Sequence, residues 1–209
     1  MSSPLGPHIT TDLIELRLIS PRSAHQLLRL AQDPELTRYL QWPAHGSIDD
    51  SLGFISDARA LWESEAAFLP GIHDRASDQL IGSIGISSID RANRRAEVGT
   101  WIGVPFQRSG YNRHAKAAIF WYAFREVGLE RLEFIVRSDN LGSVASMTGM
   151  PGIQHEGTLR RRLLSATGSH DAEIFSLLRD DWNPDDWPQV TVTHAPGWRT
   201  RHASSSPQE

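Results

Sequence analysis

The chain has 209 residues, of which 39% are hydrophobic and 22% charged, a formal net charge of −4 and no cysteine. That is enough chain for one domain with a full core, in the composition of an ordinary globular protein. Without cysteine there is no disulfide framework and no thiol nucleophile; the negative balance argues against a nucleic-acid partner; no apolar run reaches membrane-spanning length.

The nine histidines lack His-x-x-x-His or comparable spacing, so no metal is expected. The start, Met1-Ser-Ser-Pro-Leu-Gly-Pro-His8, has neither a basic region nor an apolar one. It does not read as a signal peptide, and the cytoplasm is the expected compartment.

Residues 1–10 are polar with two prolines and read as a loose segment. Asp12 to Ile19 reads as a first strand. Ser20-Pro21 suits a helix start, with Ser20 as cap and Pro21 in the first turn. The helix to about Gln32 buries Ala24, Leu27, Leu28 and Ala31. Asp33-Pro34 opens a shorter helix, and Gln41 to Gly46 is a loop. Ser47-Ile-Asp-Asp50 has capping-box spacing. The following helix, to about Ser64, carries the stripe Phe54, Ile55, Ala58, Leu61 and Trp62. Ala67–His73, interrupted by Pro70, and Gln79–Ile89 read as strands.

The next stretch changes period twice. In Arg94–Val104, Ala96, Val98, Thr100, Ile102 and Val104 alternate with Glu97, Gly99, Trp101 and Gly103, the pattern of a strand. Pro105 ends it, having no N–H to donate. Gln107-Arg-Ser-Gly110 turns the chain, and from Tyr111 the residues Ala115, Ala118, Ile119, Tyr122 and Ala123 share a helical face. A strand, a polar glycine turn and a helix leave several N–H groups unpaired at the helix start, where an anion is favoured. Gly128 ends the helix. Arg131–Arg137 is a strand, Leu141 to about Thr148 a short helix, and Ile153–Leu164 with Asp171–Leu178 a closing hairpin. Residues 181–209 show little apolar periodicity and read as an irregular tail in which Trp182 and Trp187 dock locally. Hairpins followed by one glycine turn and a helix indicate an α+β meander; with no Gly-x-Gly-x-x-Gly, a dinucleotide-binding βαβ unit is disfavoured.

Glu97-Val-Gly-Thr-Trp101 followed by Gln107-x-x-Gly110 at a helix start resembles the acetyl-CoA-binding core of the GNAT N-acetyltransferases, and most of all their RimJ/RimL-like group. Asn140-x-x-Ser143, Glu156-Gly-Thr-Leu-Arg160 and the closing hairpin extend the resemblance over about residues 12–180. The family pattern is Gln/Arg-x-x-Gly-x-Gly/Ala; this chain has Asn112 at the last position. A second departure is Met147-Thr-Gly-Met-Pro-Gly-Ile153, whose glycines and proline shorten or distort the helix after Ser143.

The resemblance implies a mixed, mostly antiparallel sheet flanked by helices in three layers, α/β/α, over residues 11–180. It implies N-acetyl transfer from acetyl-CoA to a primary amine, either a protein N-terminus or a small molecule, by direct attack in a ternary complex. A non-catalytic acyl-CoA-binding module of the same fold is the alternative, and a homodimer stays open. Glu97 is the expected base, with a pKa raised by partial burial; an ion pair with Arg94 or Arg95 is the competing reading. Backbone N–H groups around Ile102, Gly103 and Val104, aided by a β-bulge at Gly103, are the expected oxyanion donors. Ser143 is the expected acid toward the thiolate. Asn140 would bond the pantetheine amides, unless it only caps the helix. Gln107, Arg108, Ser109, Gly110, Tyr111, Asn112 and Arg113 would surround the pyrophosphate, with His114 and Lys116 adding charge. Trp42 and His45 are weaker substrate-contact candidates.

Overall fold

The computed structural model of the chain describes residues 6–165 and 167–194. One sheet organises them, in the order β7-β8-β6-β5-β4-β3-β2-β1-β9. Its strands are β1 (His8–Thr10), β2 (Ile14–Arg17), β3 (Gly71–Asp74), β4 (Leu80–Asp90), β5 (Arg95–Ile102), β6 (Arg131–Arg137), β7 (Gln154–Ser165), β8 (Gly168–Leu178) and β9 (Thr191–Thr193). Every pairing is antiparallel except β5 with β6. The helices are α1 (Ala24–Ala31), α2 (Pro34–Thr37), α3 (Ile48–Glu63), α4 (Tyr111–Trp121) and α5 (Leu141–Thr148). The mixed, largely antiparallel sheet with helices on both faces is the expected architecture.

Alternation along β5 divides the core. Ala96, Val98 and Ile102 pack with Ala115, Ile119 and Phe120 of α4, and with Met147 of α5. Trp101 faces the other way, against Leu27 of α1 and Ile55 of α3. The two helix layers therefore bury opposite faces of the same strand. The caps that the sequence suggests are formed: Asp33 accepts from the Glu35 N–H, and Ser47 and Asp50 complete a capping box. Gly128 closes α4 with φ +76°, after a π-helical turn over Tyr122–Glu126.

Tight backbone packing holds β4 to β5. A Cβ on Gly82 would stand 2.3 Å from the Trp101 carbonyl oxygen. Gly82→Ala should cost about 3 kcal/mol in urea unfolding, since neither strand can retreat without losing its ladder; an unchanged midpoint would contradict this packing.

The ends differ from the sequence reading. His8–Thr10, expected loose, pairs with Leu16 and Glu15 on one side and with Thr191–Thr193 on the other. Residues 181–194, expected irregular, form a strap that ends in β9. Trp182 packs on Phe124 at 5.3 Å between ring centroids, and Trp187 on Phe120 at 5.0 Å. Both indoles are buried and anchor the strap over α4 and the π-helical turn that follows it. Strands of three residues are too short for an alternating pattern, which explains why the sequence hides them. Residues 195–209 lie outside the described residues. Trp187→Ala should lower stability by about 3 kcal/mol, as for other large-to-small core changes, and a thermal melt reads it directly.

Candidate functional site: the split between β5 and β6

The two parallel strands pair only at Arg95↔Arg131, Ala96↔Leu132 and Glu97↔Glu133, then part. β5 continues to Ile102 beside β4, and β6 continues to Arg137 beside β8. The opening is a cleft of about 430 Å³ that runs through the sheet from one helix layer to the other. On the α1–α3 side it is lined by Tyr39, Trp42, Phe54, Glu97, Trp101 and Arg137. On the α4–α5 side Asn112, Lys116, Asn140, Ser143, Ser146 and Met147 line it.

Glu97 is the last residue of β5 paired with β6 and is half-buried. It makes no ion pair or hydrogen bond among the described residues. The arginines that could have claimed it are engaged elsewhere: Arg94 with Glu130, Arg95 with Asp90 and Glu133, Arg131 with Glu133 and Glu156. Arg131 draws the Glu156 carboxyl down to about 2. Glu133, directly beside Glu97 across the ladder, takes both neighbouring guanidinium groups, so Glu97 keeps a free carboxylate at the cleft floor.

The parity of the ladder fixes which backbone groups look into the split. The Gly103 N–H donates to the Ile81 carbonyl at 2.8 Å. Gly103, Trp101 and Gly99 therefore bond to β4, while Val98, Thr100 and Ile102 turn toward β6. Beyond the last pair, Thr100 and Ile102 have no strand opposite them, and of the two only Thr100 lines the cleft. Of the residues expected to offer an oxyanion donor, Ile102, Gly103 and Val104, Gly103 spends its N–H on Ile81, and the neighbour whose backbone faces the cleft is Thr100. No bulge occurs at Gly103; the β4–β5 register shifts between Ser87 and Asp90 instead. Val104 begins a 3-10 turn.

The Gln107–Gly110 turn has its own internal support. Gln107 Nε2 donates to the Ile102 carbonyl at 2.9 Å, satisfying the group that the missing strand leaves open. Arg108 and Gly110 both adopt positive φ, +61° and +83°. Gly110 is the N-cap residue of α4, with no side-chain cap. Among the described residues no backbone carbonyl accepts from the Tyr111 or Asn112 N–H. Ser109 Oγ donates to the Gln107 carbonyl.

Two of the seven residues expected around a pyrophosphate are turned away. Tyr111 donates its hydroxyl to Asp74 at 3.0 Å. Arg113 donates to the Asp186 carbonyl at 2.6 Å and lies over the Trp187 ring, tying α4 to the strap. His114 is likewise occupied, with Thr11 Oγ1 at 2.9 Å.

On the opposite wall Asn140 caps α5, accepting the Ser143 N–H at 3.2 Å. Capping uses its oxygen and leaves the amide NH₂ free, so the cap and a ligand contact are compatible. Ser143 is half-buried on the cleft wall, and its hydroxyl makes no hydrogen bond among the described residues. The glycine–proline departure shortens α5 to Leu141–Thr148 but leaves its first turns regular.

Among the aromatic candidates Trp42 lines the cleft and packs edge-on to Trp101 at 6.0 Å. His45 stands behind it, 5.4 Å from Trp42 and 2.9 Å from Ser51 Oγ, with its pKa lowered by burial. Sequence reasoning missed Tyr39, Trp101, Phe54 and Arg137 as lining residues. Arg137 is held by Asp139 and the Arg38 carbonyl, and lies over the Tyr39 ring. The one signal for it is that it stands at the C-terminal end of the strand beside the split.

Among the described residues no cluster of three or more His, Asp or Glu is placed to hold a metal ion, and no helix is long and apolar enough to cross a membrane.

Comparison with known proteins bears on this architecture. The model of the family described as "Acetyltransferase (GNAT) domain" matches residues 14–150. YdaF of Bacillus subtilis (strain 168), inferred to be a ribosomal N-acetyltransferase, is 30% identical over 175 residues, covering 81% of this chain and 93% of that protein. A Vibrio cholerae structure, described by inference as a ribosomal-protein-serine acetyltransferase, superposes with a TM-score of 0.74 at 28% identity over 85% of this chain and 99% of that one. The microcin C7 self-immunity acetyltransferase MccE, solved with acetyl-CoA and AMP, superposes with a TM-score of 0.72 at 25% identity, covering 80% of this chain and 93% of that one. The chain belongs to the GNAT acetyltransferases, and its relatives put it with their RimJ/RimL-like group.

Proposed function

We propose that the β5–β6 split is where an acetyl group passes from acetyl-CoA to a primary amine by direct attack. Acetyl-CoA enters from the α4–α5 side and the acceptor from the α1–α3 side. The observation that carries this reading is the unpaired Glu97 carboxylate at the point where the two parallel strands separate, with the Thr100 N–H facing the same opening.

Each chemical requirement has a candidate. An ammonium must lose a proton before it attacks, and Glu97 takes it, directly or through water. Aromatic walls of Trp42, Trp101 and Phe54 desolvate the amine and favour its neutral form. As the thioester carbonyl becomes tetrahedral, the Thr100 N–H donates to its oxygen. The C–S bond then breaks as the nitrogen, cationic after its attack, sheds its second proton; Ser143 Oγ–H relays that proton, through water, to the departing thiolate and itself ends neutral. Gln107, Arg108, Ser109, Gly110 and Asn112 form the turn toward the pyrophosphate, while Asn140 Nδ2 donates to a pantetheine carbonyl. With no cysteine in the chain, an acyl-enzyme through cysteine is excluded.

The acceptor is a protein N-terminus or a small amine; a relative named for ribosomal-protein acetylation supports the first. Release of free CoA thiol, measured against a panel of N-terminal peptides, ribosomal proteins and small amines, tests the reading. Turnover with at least one class is expected. Tight acetyl-CoA binding with no turnover across the panel would instead identify a non-catalytic acyl-CoA-binding module.

A further inference from the structure

β5 runs through the interior of the sheet, yet the residue at its middle, Gly99, is exposed, the one exposed position of that strand. A glycine inside a strand weakens it, since it has no side chain to pack and more backbone freedom to lose. The other glycines of the described strands have a reason to be there. A Cβ on Gly71, Gly82 or Gly85 would meet a neighbouring atom at 2.6, 2.3 or 2.3 Å, and Gly157 and Gly168 have φ +147° and +114°. Gly99 has neither reason. Apart from its chain neighbours, no heavy atom of the described residues stands within 4 Å of the place its Cβ would take, and its φ is not positive.

Strand parity locates this open space. Glu97, Gly99 and Trp101 share one face of β5, each about 7 Å from the next along the strand, and Trp101 packs on the α1–α3 side. The space therefore lies on the acceptor side of the cleft, between the free Glu97 carboxylate and the Trp101 indole. Gly85 is paired directly across from Gly99. Its missing side chain lets the backbone of Phe68 and Leu69 come close to β4, and Leu69 borders the cleft there. Trp42 and Phe54 line the same side. These walls are apolar. Of the charged groups among them, Glu97 is the base toward the amine, and Arg137 is held by Asp139 and the Arg38 carbonyl. A charged substituent would lose its water there without gaining a partner, whereas an apolar one gains by burial.

We propose that Gly99 sets acceptor specificity: the side chain it lacks leaves the seat for a large aliphatic or aromatic group carried next to the acceptor's amine. The nitrogen stands at Glu97, and the group lies over Gly99 against Leu69, Trp42 and Trp101. The acceptor class is a primary amine with a bulky apolar substituent, whether the first residue of a polypeptide or a free amine. The inference rests on the reading of the cleft given under Proposed function.

The test compares kcat/KM, from release of CoA thiol, in two series. One holds peptides that differ only in a first residue of glycine, leucine, phenylalanine, aspartate or lysine. The other holds ethylamine, isoamylamine and phenethylamine. In at least one series wild type should favour the large apolar members over the smallest by about tenfold or more, the scale of an apolar group in a fitted pocket. The series that shows it identifies the source of the acceptor. In Gly99→Val the large-to-small ratio should fall about tenfold or more, with acetyl-CoA affinity by calorimetry kept. Gly99→Ala should shift the ratio the same way by less, which serves if the valine variant fails to fold. Its melting temperature should rise, because a methyl group there meets open space. A lower melting temperature would show that the glycine serves the fold and would overturn the assignment. Equal use of large and small acceptors, a preference for the aspartate or lysine peptide, or a wild-type preference that persists in both variants would each overturn it and leave the cleft reading intact. So would turnover of some other amine with none in either series. No turnover with any amine would overturn both the assignment and the reading beneath it.

Discussion

Glu97→Gln should lower kcat/KM for the amine acceptor about 100-fold or more, the usual scale for losing a general base. The substitution keeps the side chain's size and its place at the end of the β5–β6 pairing. It removes the capacity to take a proton. Acetyl-CoA affinity should stay within about twofold, because Glu97 stands on the acceptor side of the sheet. The pH–rate profile should lose the limb that reports the base, and acceptors of lower amine pKa should suffer least. The geometry makes the effect specific to this carboxylate. Glu133 and Glu156 lie on the same stretch of sheet but are held by Arg95 and Arg131. Glu133→Gln should therefore act through stability and not through the pH profile. An unaltered rate and profile in Glu97→Gln would remove Glu97 from the chemistry.

Gly110→Asp should abolish measurable acetyl-CoA binding while the protein stays folded. Gly110 has φ +83°, and a Cβ there would meet only Leu13 Cδ1 at 4.0 Å. The space is open, so the cost of a side chain to the fold is the left-handed backbone alone, about 1 kcal/mol. The cost to the ligand is larger. A carboxylate at the N-cap captures the first-turn N–H groups and places negative charge where a diphosphate is to sit. Gly110→Asn separates the two effects. Asparagine also tolerates positive φ and caps the helix, but carries no charge, so it should weaken binding by much less. Undiminished affinity in Gly110→Asp would show that the diphosphate lies elsewhere.

Much of this molecule can be read in its residues, for identifiable reasons. β5 and β6 announce themselves because each buries alternate side chains between two helix layers. The Ser47–Asp50 capping box and the Asp33 cap are local chemistry, set by neighbours a few residues apart. The glycine turn before α4 is legible because Pro105 and Gly110 each forbid the alternatives. What stays hidden depends on contacts distant in sequence. β1 and β9 recognise each other across the whole chain, and no pattern of three residues could reveal it. Thr100, and not Gly103, faces the split because of a single backbone bond to Ile81, a parity that β5 alone does not carry. Arg113 reads as a phosphate ligand by position, yet Trp187 and the Asp186 carbonyl claim it from 73 residues away. Lys116 reads as one more charge on a solvated helix start and proves to be buried.

The most direct test of the central claim is calorimetric titration of the purified, folded protein with acetyl-CoA. Binding of one acetyl-CoA per chain, competed by CoA and lost in Gly110→Asp, is the result this account predicts. No heat of binding from a protein with an intact melting transition would contradict it: the split between β5 and β6 would then be a feature of the fold that this chain does not use for acyl transfer.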